Sequence, residues 1–349
     1  MHAPSCPMPE RFDTCKELED FLSRPKKDVI NSLAGLDGDL LILGAGGKMG
    51  PTLALLAQRC VREGGLHKEI IAVDLFPDNQ VETRLREAGI KTLRCDMMDP
   101  KDLARLPDAD NVIFMVGMKF GTTGKEAATW AVNAHLPALA AQRFVGSRTV
   151  VFSSGNVYPL VPVLSGGCTE RVPPAPLGEY AQSVLGRERN FEYFASRSES
   201  PVLFFRLNYA VEMRYGVLWD IGQKVWHGQP VDVSMGHANV IWQGDANAYA
   251  LRCLALAQSP PRILNVTGPE ILSVRQIAHR FGMWMKRDVL IQGQEEPTAL
   301  LSDAQEAFRL LGYPKVPTGR VIEWLASWIS SGGADLGKPT KYQVRDGKF

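Results

Sequence analysis

The glycines of Leu41-Ile-Leu-Gly44-Ala-Gly46-Gly47-Lys48-Met49-Gly50 stand between a strand-like apolar run and a helical pattern that begins at Pro51. In that context glycines serve phosphates. One permits the tight turn, another lets the backbone approach a pyrophosphate, and a third lets helix and strand pack closely. The helix start adds free N–H groups and a partial positive charge. A second apolar run, Glu69-Ile-Ile-Ala-Val, ends in Asp74, where a carboxylate can take the hydroxyls of an adenosine ribose. A third run stops at Arg94-Cys95-Asp96. Together they predict a dinucleotide-binding α/β domain.

The elements that must position these residues alternate. Strands are expected at 39–44, 69–74, 91–95, 111–117, 148–153 and 201–206, with a further one at Arg262–Val266. Helices are expected at 48–63, 78–88, 100–106, 124–143 and 178–197, then at 273–286, 301–312 and 319–330. Short apolar strands separated by helices imply parallel β-α-β units, and right-handed crossovers wind them into a doubly wound sheet. The fold class is therefore α/β, a Rossmann-like parallel sheet with a smaller C-terminal region for substrate. Residues 1–38 form a helical N-terminal extension of two short helices broken by Pro25, packed on the nucleotide domain. Residues 39–206 are expected to form the dinucleotide-binding domain, to which 241–267 returns. Residues 207–240 and 268–331 form the substrate region, rich in aromatics such as Tyr209, Tyr215, Trp219 and Trp226. Residues 332–349 are a polar tail, ordered strap or mobile end.

The chain has 349 residues, 45 % of them apolar, enough for a substantial core. A net charge of +1 with scattered lysine and arginine gives no basic surface for nucleic acid or membrane. No apolar run is long enough to span a bilayer, and no secretory leader core is evident. Cys6, Cys15, Cys60, Cys95, Cys168 and Cys253 are scattered without a C-x-x-C pair. They suggest thiols in a reducing cytoplasm, with no metal site or disulfide frame.

Gly44, Gly47 and Gly50 give G-x-x-G-x-x-G, a spacing that resembles the extended short-chain dehydrogenase/reductase superfamily, the NAD-dependent epimerases and dehydratases. Val150-Val-Phe-Ser-Ser154-Gly-Asn156-Val-Tyr158 resembles the element carrying the family's catalytic hydroxyl, and Gly178-Glu-Tyr180-Ala-Gln-Ser183-Val184-Leu-Gly-Arg187-Glu188 resembles its Y-x-x-S-K-x-x-x-E helix. The resemblance implies that Ser154 and Tyr180 polarise a substrate oxygen. It also implies that Gly44, Gly46, Gly47, Lys48, Met49, Gly50, Asp74, Asp96, Met97, Gly117, Lys119 and Tyr180 meet the cofactor. Asp74 argues for NAD, since a carboxylate repels a 2′-phosphate. The Lys48 side chain is expected to be a solvated loop charge.

The chain departs from the pattern at Val184, where the family has lysine. That lysine bonds the nicotinamide ribose and lowers the tyrosine pKa from about 10, so that the phenolate can act as a base. Valine does neither. Lys119, after the fourth strand, is the expected substitute, and Arg187 the one expected to fall short. Asn133 takes the place of the family's helix asparagine, and His135 projects to another side. For substrate, the resemblance implies Ser154, Asn156, Asn208 and Arg214. Tyr215, His237, Asn239 and Trp242 add groups suited to a hydroxylated, even anionic ligand, while Asp245 is expected as a helix cap or fold-holding residue. The expected activity is hydride transfer at a carbinol of a carbohydrate or related polyhydroxy compound, in a homodimer paired through 124–143 and 178–197. A non-catalytic NAD binder, or a reductase using Tyr180 only as proton donor, remains open.

Overall fold

The computed structural model describes residues 8–119, 121, 123–338 and 340–348. Seven parallel strands make the central sheet: β1 (Leu40–Leu43), β2 (Ile70–Asp74), β3 (Lys91–Arg94), β4 (Asn111–Phe114), β5 (Arg148–Ser154), β6 (Val202–Leu207) and β7 (Arg262–Val266). Their spatial order is β7-β6-β5-β4-β1-β2-β3, and each contact is parallel. The order reverses between β1 and β4, so a crevice opens beyond their carboxyl ends, where such sheets take ligands. The strand expected at 111–117 pairs only to Phe114, and the chain from Met115 onward turns into the crevice.

Helices cover both faces. Before the sheet come α1 (Cys15–Leu22) and α2 (Lys27–Ala34); α3 (Gly50–Glu63), α4 (Asn79–Glu87) and α5 (Pro100–Ala104) alternate with its first strands. The sixth helix, α6, covers 126–143 and widens to a π turn over Ala131–His135. Pro137 explains the widening, since it has no N–H to offer the carbonyl of Asn133. Next are α7 (Gly178–Ser198), α8 (Val217–Trp226), α9 (Gln243–Cys253), α10 (Val274–Met285), α11 (Gln305–Leu311) and α12 (Thr318–Ser330). Helix α8 lies within the aromatic stretch for which no element was expected.

Two apolar clusters sandwich the sheet, and a third joins α8, α10 and α12. The N-terminal extension divides between them. Val29 and Leu33 of α2 pack on the nucleotide domain as expected, but Leu18 and Leu22 of α1 enter the C-terminal cluster. Aromatic packing accounts for the difference. Phe12 and Phe21 meet Trp242 and Trp324 at centroid distances of 5.0 to 6.5 Å. The tail is a strap: the Thr340 N–H donates to Asp220 at 2.8 Å, Arg345 donates to the Thr298 carbonyl at 2.7 Å, and Tyr342 is buried. No helix among the described residues is long and apolar enough to cross a membrane.

Candidate active site

The loop between β1 and α3 is built for close backbone approach. Gly44 has φ +88°, and a Cβ there would lie 2.8 Å from the Val116 nitrogen. At Gly50 a Cβ would sit 2.4 Å from the Ala45 carbonyl oxygen, so only glycine lets α3 start against the strand. Gly46 donates its N–H to Asp74 at 3.0 Å, and Phe76 donates to the other carboxylate oxygen at 3.1 Å. Asp74 is thereby fixed at the end of β2 beside the loop. The Met49 and Met97 side chains belong to the core. Asp96 is exposed at the end of β3, accepting the Met98 N–H at 3.0 Å.

Across the crevice, β5 ends in two serines with different duties. Ser153 donates to Glu188 at 2.5 Å, and Glu188 forms a fully buried pair with Arg206, 2.6 Å at its shorter contact. Arg206 also donates to the Tyr158 hydroxyl at 2.7 Å, which in turn donates to Asn265 at 2.9 Å. This network locks the strand end. Ser154 faces the crevice, bonded to Asn156 at 3.0 Å and to the phenol of Tyr180.

Tyr180 is on the first turn of α7. Burial pushes its phenol above the usual range; the charge of Arg187 and the bond from Ser154 pull it back. Val184 is buried in a small apolar cluster with Val157, Tyr158, Cys168 and Tyr180. Arg187 is buried, and its charge acts on Tyr180 although its hydrogen bonds go elsewhere. Helical side chains lean toward the N-terminus, so its long side chain covers the turn of Val184. Its guanidinium donates to the Phe152 carbonyl at 2.6 Å and to Asn133 Oδ1 at 3.0 Å, while Nε is buried without a partner. Gly117 makes the room: a Cβ there would lie 2.7 Å from Arg187 Nη2. Asn133 in turn accepts the Met118 N–H and donates to the Met118 carbonyl, both at 2.8 Å, and to Ser183 at 3.0 Å. The amide is saturated, so it fixes both Arg187 and the chain leaving β4.

A cavity of about 190 Å³ is lined by Lys48, Lys119, Ser154, Asn156, Tyr180, Asn208, Tyr209 and Tyr215. A second of about 310 Å³ shares Asn156 and Tyr209 with it and continues toward Leu300 and the tail at Val344–Arg345. Lys48 corrects the expectation of a solvated charge. It is half-buried, with Nζ 3.1 Å from the ring centre of Tyr215, a cation–π contact. Lys119 Nζ lies 6.0 Å from the Tyr180 ring centre and 5.5 Å from that of Tyr209. Burial lowers the Lys119 pKa to about 8.

Other expected residues have structural partners. Arg214 pairs with Glu212 at 3.1 Å and Glu19 at 2.8 Å, outside both cavity linings. Asn208 lines the cavity while donating to Asn239 at 2.6 Å, and Asn239 holds the Ser302 carbonyl behind it. Trp242 belongs to the aromatic cluster, and His237 lies in a short β pair with Ser273. Asp245 holds the fold, not a helix end: it pairs with Lys26 at 2.6 Å and accepts the Lys315 and Val316 N–H groups.

No family model matches the chain, and no curated protein matches it in sequence. Solved structures do match in fold. UDP-glucuronic acid 4-epimerase from Bacillus cereus, crystallised with UDP-glucuronic acid and NAD, gives a TM-score of 0.69 at 16 % identity, covering 84 % of this chain and 99 % of its own. UDP-glucose 4-epimerase from Thermotoga maritima, with UDP-glucose, gives 0.68 at 15 % identity over the same shares. UDP-glucose 4-epimerase from Thermus thermophilus, with NAD, gives 0.66 at 16 % identity, covering 83 % of this chain and 98 % of its own. The chain has the doubly wound α/β fold of these nucleotide-sugar epimerases.

Proposed function

We propose that this protein is an NAD-dependent enzyme of the extended short-chain dehydrogenase/reductase type, acting on a polyhydroxy substrate by hydride transfer at a carbinol. The observation that carries the reading is the Ser154–Tyr180 pair, facing a cavity beside a glycine loop that admits no Cβ at Gly44 or Gly50. The neighbours crystallised with NAD and sugar nucleotides support it. Gly44, Gly46, Gly47 and Gly50 would hold the pyrophosphate and Asp74 the adenosine ribose, and the bound nicotinamide supplies the hydride acceptor. The residues of the chain do the proton chemistry. Ser154 holds the substrate oxygen, and Tyr180 takes its proton in oxidation or returns it in reduction. Arg187 replaces the absent lysine as the cation that favours the phenolate, because its charge acts on Tyr180; Lys119, with Nζ 6.0 Å from the Tyr180 ring centre, is not assigned this role. The exposed Ala127, Ala128 and Trp130 of α6 and Tyr193 of α7 support a homodimer through these helices. Among the described residues the thiols of Cys15, Cys60, Cys95, Cys168 and Cys253 are free, which supports a reducing, cytoplasmic setting.

A fluorescence titration with NADH, followed by a screen of sugars and polyols for reduction of bound NAD, tests the function. Saturable NADH binding and a polyol that reduces NAD in the wild type but not in Tyr180→Phe are expected. Absence of NADH binding, or full turnover by Tyr180→Phe, would overturn the reading.

A further inference from the structure

The cavity of about 310 Å³ adjoins the one of Ser154 and Tyr180 through Asn156 and Tyr209, and the C-terminal strap supplies one of its walls with Val344, Arg345 and Gly347. Its volume lies at the lower end of the range for ligand pockets, roughly 300–1,000 Å³. The strap is built into that position. Val344 packs on the cluster of Val157, Tyr158, Tyr180 and Val184. Arg345 donates to the Thr298 carbonyl at 2.7 Å and to the Thr298 hydroxyl at 2.6 Å. Gly347, at φ +76°, lies against Leu177 and Gly178 at the start of α7, and a Cβ on Gly347 or Gly178 would strike backbone across the contact.

The lining is mostly carbon, from Leu160, Leu177, Met235, Leu300 and Val344. Its polar groups are committed or stand at the junction. The Tyr158 hydroxyl is bonded to Arg206 and Asn265, and the Arg345 guanidinium is turned to Thr298 and, at 3.4 Å, to the Ser234 carbonyl. An apolar group gains from such a lining in proportion to the area it buries, whereas a diphosphate would give up its water against aliphatic carbon. Tyr209 belongs to both linings and takes φ +48°, a left-handed backbone that few residues other than glycine adopt. Such conformations gather where a ligand is met.

We infer that the substrate carries an uncharged apolar group on its hydroxyl-bearing part, as an alkyl or aryl glycoside does. Its carbinol lies against Ser154 and Tyr180, and the apolar group fills the strap-walled cavity. This rests on the proposed function for the identity of the reacting cavity. It makes Leu177, Leu300 and Val344 specificity-determining residues and the strap a part of the substrate site.

The test titrates the NAD-loaded protein calorimetrically with the phenyl β-glycosides of D-glucose and D-galactose, the two free sugars and UDP-glucose. At least one phenyl glycoside should bind about tenfold tighter than its parent sugar, the gain expected from burying a ring, and tighter than UDP-glucose. Phenyl glycosides bound no tighter than the free sugars, or less tightly than UDP-glucose, would overturn the inference. Leu177→Gln, at an exposed position that tolerates change, and Val344→Gln should each bring the ratio of phenyl glycoside to sugar affinity toward one. The ratio cancels any loss common to both ligands, so a disturbance of Tyr180 by Val344→Gln does not obscure the result. A preference that survives both substitutions would place the apolar group elsewhere and overturn the inference. Following NAD reduction with the same compounds separates the two readings. If the phenyl preference is found but nothing reduces NAD, the hydride-transfer function fails and the apolar subsite stands. If a free sugar reduces NAD and the phenyl group adds no affinity, the function stands and the subsite fails.

Discussion

Arg187 donates to Asn133 Oδ1 at 3.0 Å, so this buried guanidinium is held by the asparagine of the π turn in α6. π turns of this kind occur often at functional sites. Here the turn aims one amide at Met118, Ser183 and Arg187 together. On the proposed function, the charge that the family's lysine carries is supplied here by Arg187.

Arg187→Met should therefore cut turnover of the substrate found by screening roughly a hundredfold, within the usual range for acid–base assistance. NADH affinity should change little, and the ascending limb of the oxidation profile, set by ionisation of Tyr180, should shift to higher pH. Arg187→Lys should recover part of the loss. Equal pH profiles for wild type and Arg187→Met would assign Arg187 a structural part only.

Asp74→Ser should raise NADPH affinity relative to NADH, because it removes the carboxylate fixed by Gly46 and Phe76. Parallel fluorescence titrations check this. A wild type that prefers NADPH would contradict the assignment.

Glu188 and Arg206 are each 1 % exposed as a pair. Glu188→Gln leaves the guanidinium without its charge partner and should cost about 3–5 kcal/mol of stability, visible as a large fall in Tm. A change of a degree or less would mean the network relaxes around the loss.

Much of this was legible in the chain. Continuous apolar runs and helical periodicity placed the sheet strands and the helices on either side of them, because apolar runs between glycine turns have few other solutions. Ser154 and Tyr180 were found from motif spacing and do meet. What escaped was set by long-range contacts. Helix α8 was hidden by an aromatic run that looked irregular, and α1 joined the far core because Phe12 and Phe21 found Trp324. Lys48 looked like a loop charge until Tyr215 arrived from residues distant in sequence. Arg187 lay two helical turns from Tyr180, and only the gap left by Gly117 and the amide of Asn133 shows where its guanidinium goes. The glycine was the available signal.

The central claim is that Tyr180 ionises under the influence of Arg187, and it can be measured without knowing the substrate. In NAD-loaded protein labelled with 13Cζ-tyrosine, the Tyr180 signal is identified by its loss in Tyr180→Phe and followed with pH. The account predicts ionisation at lower pH in the wild type than in Arg187→Met. The same Tyr180 pKa in both proteins would contradict it.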